Sequence, residues 1–413
     1  MENILVIGNG FDIEHGIPST YKNFLDFAKV YCEFYRYKGA IKHRFHEDIG
    51  KISDNFIDVL DAIQDGDEAT QKILKEFYDL TEGNVWIDYF QECLKRRAQY
   101  GKGYHWVDIE EEISEVIKLI TECRNDMEYI ELQFSELSYL RNDTLCSSNN
   151  LLSDFMKRLR EKKLQSNYET HINSSTIEEN MKHWILFKKR LLSDYNNMIR
   201  SLEIYLDFFV DIEKIAVKED LKNLHFSNLI TFNYTHFYNK IYDSKTNVYF
   251  VHGNANYMRP LENNNMVIGI DEFTIEEPKD RDFLAYRKYY QRIVKKCDFN
   301  YQKIISENED SYIWFFGHSM AISDGEILRT LLPSSNNEIK KAYICYHHQN
   351  SFEQQVSNLV QIFGHDKLNE LVYSANPKIE FIDQKNLRRT MEKCLANERS
   401  ERLIKAVGLA MGR

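Results

Sequence analysis

The first residues of the chain constrain its fold more than any other stretch. Residues 4–7 (ILVI) form a short apolar run, and Gly8-Asn9-Gly10 follows it at once. Such a run is typical of a strand buried on both faces of a parallel sheet, and a strand of that kind needs partners. The next segments with strand character come only after residue 221. The N-terminal strand must therefore pair with strands from the far end of the chain.

The pattern between these two regions is helical. The segments FIDVLDAI, VWIDYFQECL, EEISEVIKLI and ILFKKRLLSDYNNMIRSLEIYL place apolar residues at three- and four-residue steps. After residue 221, the runs NLITFNY, VYFVHG, SYIWFFGHS, KAYICYHH and KIEFID predict strands, and the segments FLAYRKYYQRIVKKCDFNYQKII and SFEQQVSNLVQIF between them predict helices. Alternation of this kind indicates an α/β protein with a mostly parallel sheet.

We therefore predict a Rossmann-like α/β fold with a mostly parallel sheet and a large all-helical insertion after the first βα unit. The predicted domains are the first βα unit over residues 1–44, the helical insertion over residues 45–221, and the remainder of the Rossmann-like domain over residues 222–413. A chain of 413 residues is long enough to bury the large core that this organisation requires.

Composition narrows the possible partners. A formal net charge of -11 makes nucleic acid an unlikely partner for the chain as a whole. No stretch approaches the roughly 18 to 20 apolar residues that span a bilayer, and the N-terminus is unlike a signal peptide, so we expect a cytoplasmic protein with no membrane partner. The seven cysteines are scattered and form no C-x-x-C pair. This pattern favours reduced thiols, and we expect no metal.

Polar or small residues follow four of the predicted strands. They are Gly8, Asn9 and Gly10 after the first strand, Thr231, Asn233 and Thr235 after NLI, His252 and Gly253 after VYFV, and Gly317, His318 and Ser319 after YIWFF. Ligands in open α/β sheets bind beyond the carboxyl ends of the strands. The sequence therefore predicts one polar crevice at this edge of the sheet.

Each of these residues also has a purely structural interpretation. Ile13 stands where a dinucleotide fingerprint needs its third glycine, so the glycines could form a simple tight turn. Asn233 could form an Asx-turn, and His252 could be a structural histidine. Asp12 would repel a phosphate, which favours a helix cap, a turn, or a hydrogen bond to a ribose hydroxyl or water. Asp324 could cap the helix that follows it or bind a ribose.

Five blocks of the sequence together resemble a known family. VIGNGFDIEHGIPSTYKNF, HWVDIEEEI, LITFNYTHFY, VYFVHGNA and WFFGHSMAISDGEIL occur in the order found in the AbiH family of bacterial phage abortive-infection proteins. The resemblance covers most of the chain. It implies a role in anti-phage defence, in which an infected cell is arrested or killed before phage progeny are released.

A more distant resemblance bears on chemistry. Four motifs are similar to those of sirtuin-like NAD-consuming domains. They are the glycine turn followed by Gly16-Ile17-Pro18, the T-x-N of residues 231–233, the His252-Gly253 pair and the G-x-S of residues 317–319. That resemblance implies that the glycine-rich loop accepts the NAD diphosphate, that Asn233 holds the nicotinamide ribose or a water, and that His252 is a base. The predicted catalytic residues are therefore Asn233 and His252. The predicted nucleotide-binding residues are Gly8, Asn9, Gly10, Phe11, Asp12, Thr231, Gly317, Ser319 and Asp324.

The chain also departs from the sirtuin-like pattern. Asp12 stands where the pattern has Ser, Thr235 where it has Asp, and Tyr21 where it has Arg, and the zinc-binding cysteine pairs are absent. A zinc-free NAD hydrolase therefore fits better than a protein deacetylase. We predict a nucleotide, NAD, as substrate or ligand.

Other functions stay open. One alternative is a nucleotide-binding sensor or an interaction protein without turnover. Another is a metal-dependent nuclease-type effector that uses the acidic segment with Asp108 and Glu110. For a role in anti-phage defence, we further expect that the protein could form a homo-oligomer and that a phage-derived molecule could trigger it.

Overall fold

The predicted strands form one sheet. The protein is described here by a computed structural model that covers residues 3–36, 66–99, 109–125, 177–210, 224–270, 281–307, 311–333 and 339–394, with single positions at 215, 217–218, 221–222 and 396. Its strands are β1 (Asn3–Ile7), β2 (Asn228–Thr231), β3 (Asn247–Phe250), β4 (Tyr312–Phe316), β5 (Lys341–Tyr346) and β6 (Ile379–Asp383). Each strand coincides, to within one residue at its first position, with a run that the sequence pattern predicts.

The strand order of the sheet is β3-β2-β1-β4-β5-β6, and every neighbouring pair is parallel. β1 lies in the middle, with Val6 opposite Ile230 of β2 and Phe315 of β4. This is the order of the doubly wound Rossmann fold, and its direction reverses between β1 and β4. The prediction of a Rossmann-like, mostly parallel α/β fold is confirmed.

Helices account for most of the remaining described residues. They are α1 (Asn9–Glu14), α2 (Tyr21–Arg36), α3 (Glu68–Thr81), α4 (Val85–Gln99), α5 (Ile109–Asn125), α6 (Ile177–Ile204), α7 (Phe237–Ile241), α8 (Lys288–Val294), α9 (Asn300–Glu307), α10 (Gly325–Leu331), α11 (Gln349–Phe363) and α12 (His365–Tyr373). A π-helical turn (Tyr205–Phe209) continues α6, and a 3-10 turn (Arg281–Tyr286) precedes α8.

The chain divides into two compact units. The first comprises residues 1–17, 212–251 and 297–413 and contains the sheet; the second comprises residues 18–211 and 252–296. The domain boundaries predicted at residues 44 and 221 stay a prediction, because residues 37–65 and much of 211–223 lie outside the described residues.

Each unit has its own core. In the first, Ile4, Leu5 and Val6 of β1 are completely buried, as a central parallel strand requires. In the second, aromatic rings from α2, α3 and the π-helical turn pack together; Phe27, for example, lies 4.7 Å from Phe209 between ring centroids. This packing explains the helical spacing of apolar residues, which covers one face of each helix.

One predicted helix is broken. The apolar spacing of residues 283–305 predicts continuous helix, but α8 ends at Val294 and α9 begins at Asn300. Lys296 adopts a left-handed conformation with a φ of 53°, and the Asp298 side chain accepts a hydrogen bond from the N–H of Asn300 at 2.7 Å. These local interactions end one helix and start the next, which periodicity alone does not reveal.

Candidate functional site

The glycines after β1 permit close contact between two loops of the first unit. The N–H of Gly8 donates to Phe316 O at 3.2 Å and the N–H of Gly10 donates to Gly317 O at 2.8 Å. A Cβ on Gly10 would lie 2.7 Å from Gly317 O, and a Cβ on Gly317, whose φ is +65°, would lie 2.2 Å from Phe11 N. Only glycine fits at these positions. The N–H of Phe11 donates to Gly8 O at 2.9 Å, so all three N–H groups bond within the protein.

Asp12, Asn233 and Thr235, here called the Asp12 cluster, meet at the carboxyl ends of β1 and β2. The N–H of Phe232 donates to Ile7 O at 2.9 Å. This hydrogen bond continues the pairing of β1 and β2 up to the residue before Asn233. Asn233 Nδ2 then donates to Asp12 Oδ1 at 2.9 Å, and Thr235 Oγ1 donates to Asp12 Oδ2 at 2.8 Å. Asp12 and Thr235, two of the three positions at which the sequence departs from the sirtuin-like pattern, are therefore joined by a hydrogen bond.

The side-chain oxygen of Asn233 is a buried acceptor without a hydrogen-bond partner. Asn233 is 5% exposed, and its Oδ1 has no hydrogen-bond partner among the residues that the structure describes. The amide of Asn233 cannot be flipped so that its oxygen and nitrogen exchange places. A flip would place Oδ1 against the carboxylate of Asp12 and remove a hydrogen bond. Thr231 Oγ1 accepts from the N–H of Asn233 at 3.0 Å and fixes the backbone. Buried polar atoms are satisfied in most native proteins, so this oxygen is an unusual feature and the candidate acceptor of the site.

The side chain of His15 contacts the segment that follows Gly10. Its Nδ1 donates to Phe11 O at 2.7 Å, which leaves Nε2 to accept from the hydroxyl of Tyr242. Burial lowers the pKa of His15 most strongly, and the hydrogen bond to Phe11 opposes this shift. The neutral imidazole therefore fits the site. Phe11 itself is buried, with its ring 5.7 Å from that of Phe237, so its side chain belongs to the core.

His318 is a buried residue of this region that the predicted site set omits. Its Nδ1 accepts from the N–H of Met320 at 2.9 Å, so its Nε2 carries the proton in the neutral ring and faces Asp324 Oδ2 at 3.8 Å. Gln355 Nε2 donates to His318 O at 2.9 Å. His318 therefore organises the loop after β4 and is unsuited to be a base. The only sign of this role in the sequence was the position of His318 in a G-H-S motif at the end of a predicted strand.

The remaining predicted residues of the first unit have varied settings. Asn9 is half-buried at the start of α1, and Ser319 is exposed, with its carbonyl accepting from Asn358 Nδ2 at 3.1 Å. Asp324 occupies the N-cap position of α10, but its side chain makes no capping hydrogen bond. The capping interpretation of Asp324 is therefore wrong, because its carboxylate turns toward His318 instead.

His252 belongs to the second unit. Its carbonyl accepts from the N–H of Val267 at 2.8 Å, and its side chain is buried. Gly253 follows with a φ of +75°, and a Cβ there would lie 2.0 Å from Asn265 O. The loop is held by Glu203 of α6, whose carboxylate accepts from Asn256 N at 3.2 Å and Asn264 Nδ2 at 2.6 Å.

The acidic segment behind the nuclease alternative is only partly described. Asp108 and Trp106 lie outside the described residues, and Glu110 pairs with Lys288 Nζ at 2.8 Å. Within the described ranges, no three His, Cys, Asp or Glu side chains are grouped so that they could hold a metal ion. In the same ranges, no helix is long and apolar enough to cross a membrane.

The sheet order and the polar strand ends define a class: a Rossmann-like α/β protein with a buried carboxylate–amide cluster beside its first glycine turn. The comparison with family models is more specific. The chain belongs to the AbiH family, because the model described as "Bacteriophage abortive infection AbiH" matches residues 4–345. This membership confirms the AbiH resemblance and supports a role in phage abortive infection. Searches of curated proteins and of solved structures found no match.

Proposed function

We propose that the chain acts in phage abortive infection by binding NAD and hydrolysing its nicotinamide–ribose bond. The observation that carries this proposal is the unpartnered Oδ1 of Asn233, held in one orientation by Asp12. A ribose hydroxyl or an attacking water can donate to this oxygen. The sirtuin-like resemblance supports the same role, since it assigns the nicotinamide ribose or a water to Asn233.

The chemistry suits a site of this kind. Hydrolysis breaks the bond between C1′ of the ribose and the nicotinamide ring nitrogen, which keeps the electron pair and becomes neutral. Water forms the new bond to C1′ and loses a proton, and the products are ADP-ribose and nicotinamide. The transition state resembles an oxocarbenium ion, as in glycoside hydrolysis. An amide that positions the ribose or the water can contribute through orientation, which supplies up to about 7–11 kcal/mol in favourable cases.

The base is assigned separately. The resemblance gives this role to His252, a buried residue with its backbone fixed by Val267. An imidazole can act as a general base near neutral pH. Because His252 belongs to the second unit, its part in the reaction is tested by its own variant.

The test is a time course of NAD, nicotinamide and ADP-ribose with purified protein, with and without lysate of phage-infected cells. We expect the wild type to convert NAD in at least the second condition. Asn233→Ala should abolish conversion, and His252→Ala should reduce it by about 10²-fold or more. Asn239→Ala is the matched control: this asparagine of the first unit donates to Thr246 O at 3.2 Å and lies outside the Asp12 cluster. It should retain activity.

The alternatives predict different results. Constant NAD in every reaction, with NAD still bound, would reject hydrolysis and identify a sensor. Loss of nucleic acid that stops on addition of a chelator would identify the nuclease-type effector. In cells, Asn233→Ala should lose protection against phage if the site carries the function, and Asn239→Ala should retain it.

A further inference from the structure

We propose that a cavity of the second unit binds a small aromatic anion. Its volume is about 310 Å³, at the lower end of the roughly 300–1,000 Å³ of small-molecule sites. In the described part of the chain it is lined by Ile185, Lys188, Lys189 and Leu192 of α6 and by Phe283 and Tyr286 of the 3-10 turn before α8. The Asp12 cluster belongs to the first unit, so this inference is independent of the proposed function.

One wall of the cavity is a face of α6 with an unusual composition. Its four lining residues follow one another at steps of three, one and three positions, the spacing that places side chains on one face of a helix. Such a face is apolar where it packs against a neighbouring element. Here only its two ends, Ile185 and Leu192, are apolar, and two lysines stand between them. This wall therefore combines apolar surface with positive charge.

The remaining wall is aromatic and uncharged. Phe283 and Tyr286 are both buried, and their ring centroids lie 6.2 Å apart. The ring of Tyr286 also packs against those of Tyr195 and Trp86, at centroid distances of 4.7 Å and 5.8 Å. Burial raises the pKa of Tyr286 well above its ordinary value, so its hydroxyl stays neutral. This wall offers aromatic surface to a ring of a ligand and adds no negative charge.

The charge of the cavity selects the kind of ligand. Lys189 is exposed and Lys188 is half-buried, and lysine side chains lay their hydrocarbon stems on apolar surface while the ammonium group stays in water. No carboxylate lines the cavity among the described residues. An anionic group near Lys189 would therefore meet positive charge, whereas a cation would be repelled. The ligand that suits both walls is a small aromatic ring system with a carboxylate, sulfonate or phosphate group.

The test uses two fluorescent probes that share the same rings: anilinonaphthalene sulfonate, an anion, and phenylnaphthylamine, which lacks the sulfonate and is neutral. Fluorescence titration of the full chain gives both affinities. We expect Lys189→Gln to weaken binding of the anion about threefold and Lys189→Glu about tenfold, because the site loses one charge and then gains the opposite one. The affinity for the neutral probe should stay within about twofold in both variants. Lys72→Gln, at an exposed lysine of α3 in the same unit, is the matched control and should change neither affinity.

A second variant tests the cavity itself. Leu192→Trp should weaken binding of both probes about tenfold or more, because the larger side chain occupies the space between the walls. Ile185→Trp, at an exposed position, replaces it if Leu192→Trp does not fold. No binding of the anion by the wild type, an unchanged affinity in Lys189→Glu, an equal loss for both probes in that variant, or full binding in the tryptophan variant would overturn the inference. Loss of binding in Asn233→Ala would place the probes at the Asp12 cluster and would also overturn it.

Discussion

The two compact units hold a buried carboxylate in two different ways. In the first unit, an amide and a hydroxyl donate to Asp12. In the second, Glu203 is completely buried and pairs with the guanidinium of Arg200, whose Nη1 lies 2.6 Å from Glu203 Oε2. In the first arrangement uncharged groups donate to the carboxylate, and in the second a guanidinium does. Burial of a carboxylate therefore does not by itself identify a ligand site.

In the second arrangement, the charge of the Arg200 guanidinium is compensated by carboxylates. Burial by itself would lower the pKa of Arg200, but hydrogen bonds to Glu76 and Glu203 outweigh it and raise that pKa. Arg200 Nη2 also donates to Tyr257 O at 2.9 Å, so the ion pair anchors the loop that follows His252. We interpret Glu203 as a structural anchor, whereas Asn233 of the Asp12 cluster is the residue on which the proposed function rests.

The largest effect on this comparison is expected from Glu203→Ala. Removing the carboxylate leaves Arg200 buried without one of its two carboxylate partners, and breaking a buried ion pair costs about 3–5 kcal/mol. Urea unfolding monitored by circular dichroism measures this loss. Glu203→Gln, which retains the volume and one acceptor, should lose less. A loss below about 1 kcal/mol for Glu203→Ala would contradict the anchoring role.

Gly317→Ala tests the close contact of loops in the first unit. The variant combines a left-handed conformation with a Cβ 2.2 Å from Phe11 N, so we expect a loss of about 2–4 kcal/mol in unfolding free energy. Gly16→Ala is the control, because Gly16 has a φ of +74° but nothing within 4 Å of its added Cβ. It should lose only about 1–2 kcal/mol. Equal losses would show that close approach does not explain Gly317.

Asp12→Ala should be less destabilising than Glu203→Ala. It leaves the donors of Asn233 and Thr235 buried without their acceptor, at a cost of about 1–3 kcal/mol. Thermal and urea unfolding of the two alanine variants in parallel gives the ranking. The reverse ranking would mean that the carboxylate of Asp12 is the structural anchor and would remove the contrast between the units.

The smallest effect concerns pH. Burial lowers the pKa of His15 from its ordinary value of 6.5, so below that pH the unfolded chain binds more protons than the folded chain. Stability should therefore fall as the pH drops below about 6.5, until the lowered pKa of the folded state is reached. Melting temperatures of the wild type and His15→Gln at about pH 7.5 and about pH 5.5 test this. The variant should show a weaker pH dependence than the wild type, and an equal dependence in the two proteins would contradict the role of His15.

Local pattern accounts for the parts of the fold that were predictable. Six short apolar runs predicted the six strands, because a buried parallel strand leaves a continuous apolar signature. The break between α8 and α9 was missed, because a left-handed Lys296 and an Asx-type contact at Asp298 leave the apolar spacing unchanged. The capping interpretation of Asp324 failed for a related reason: its position before a helix suits a cap, but His318 lies close enough to compete.

The sequence by itself determined the class of fold, the family, and the polar residues at the strand ends, because these depend on periodicity and on order along the chain. The tertiary structure decided which of those residues meet. Asp12 and Asn233 are 221 positions apart, and only the pairing of β1 with β2 brings them within 2.9 Å. It also decided that the glycines serve a contact between two loops, since backbone proximity across a sheet leaves no trace in local spacing.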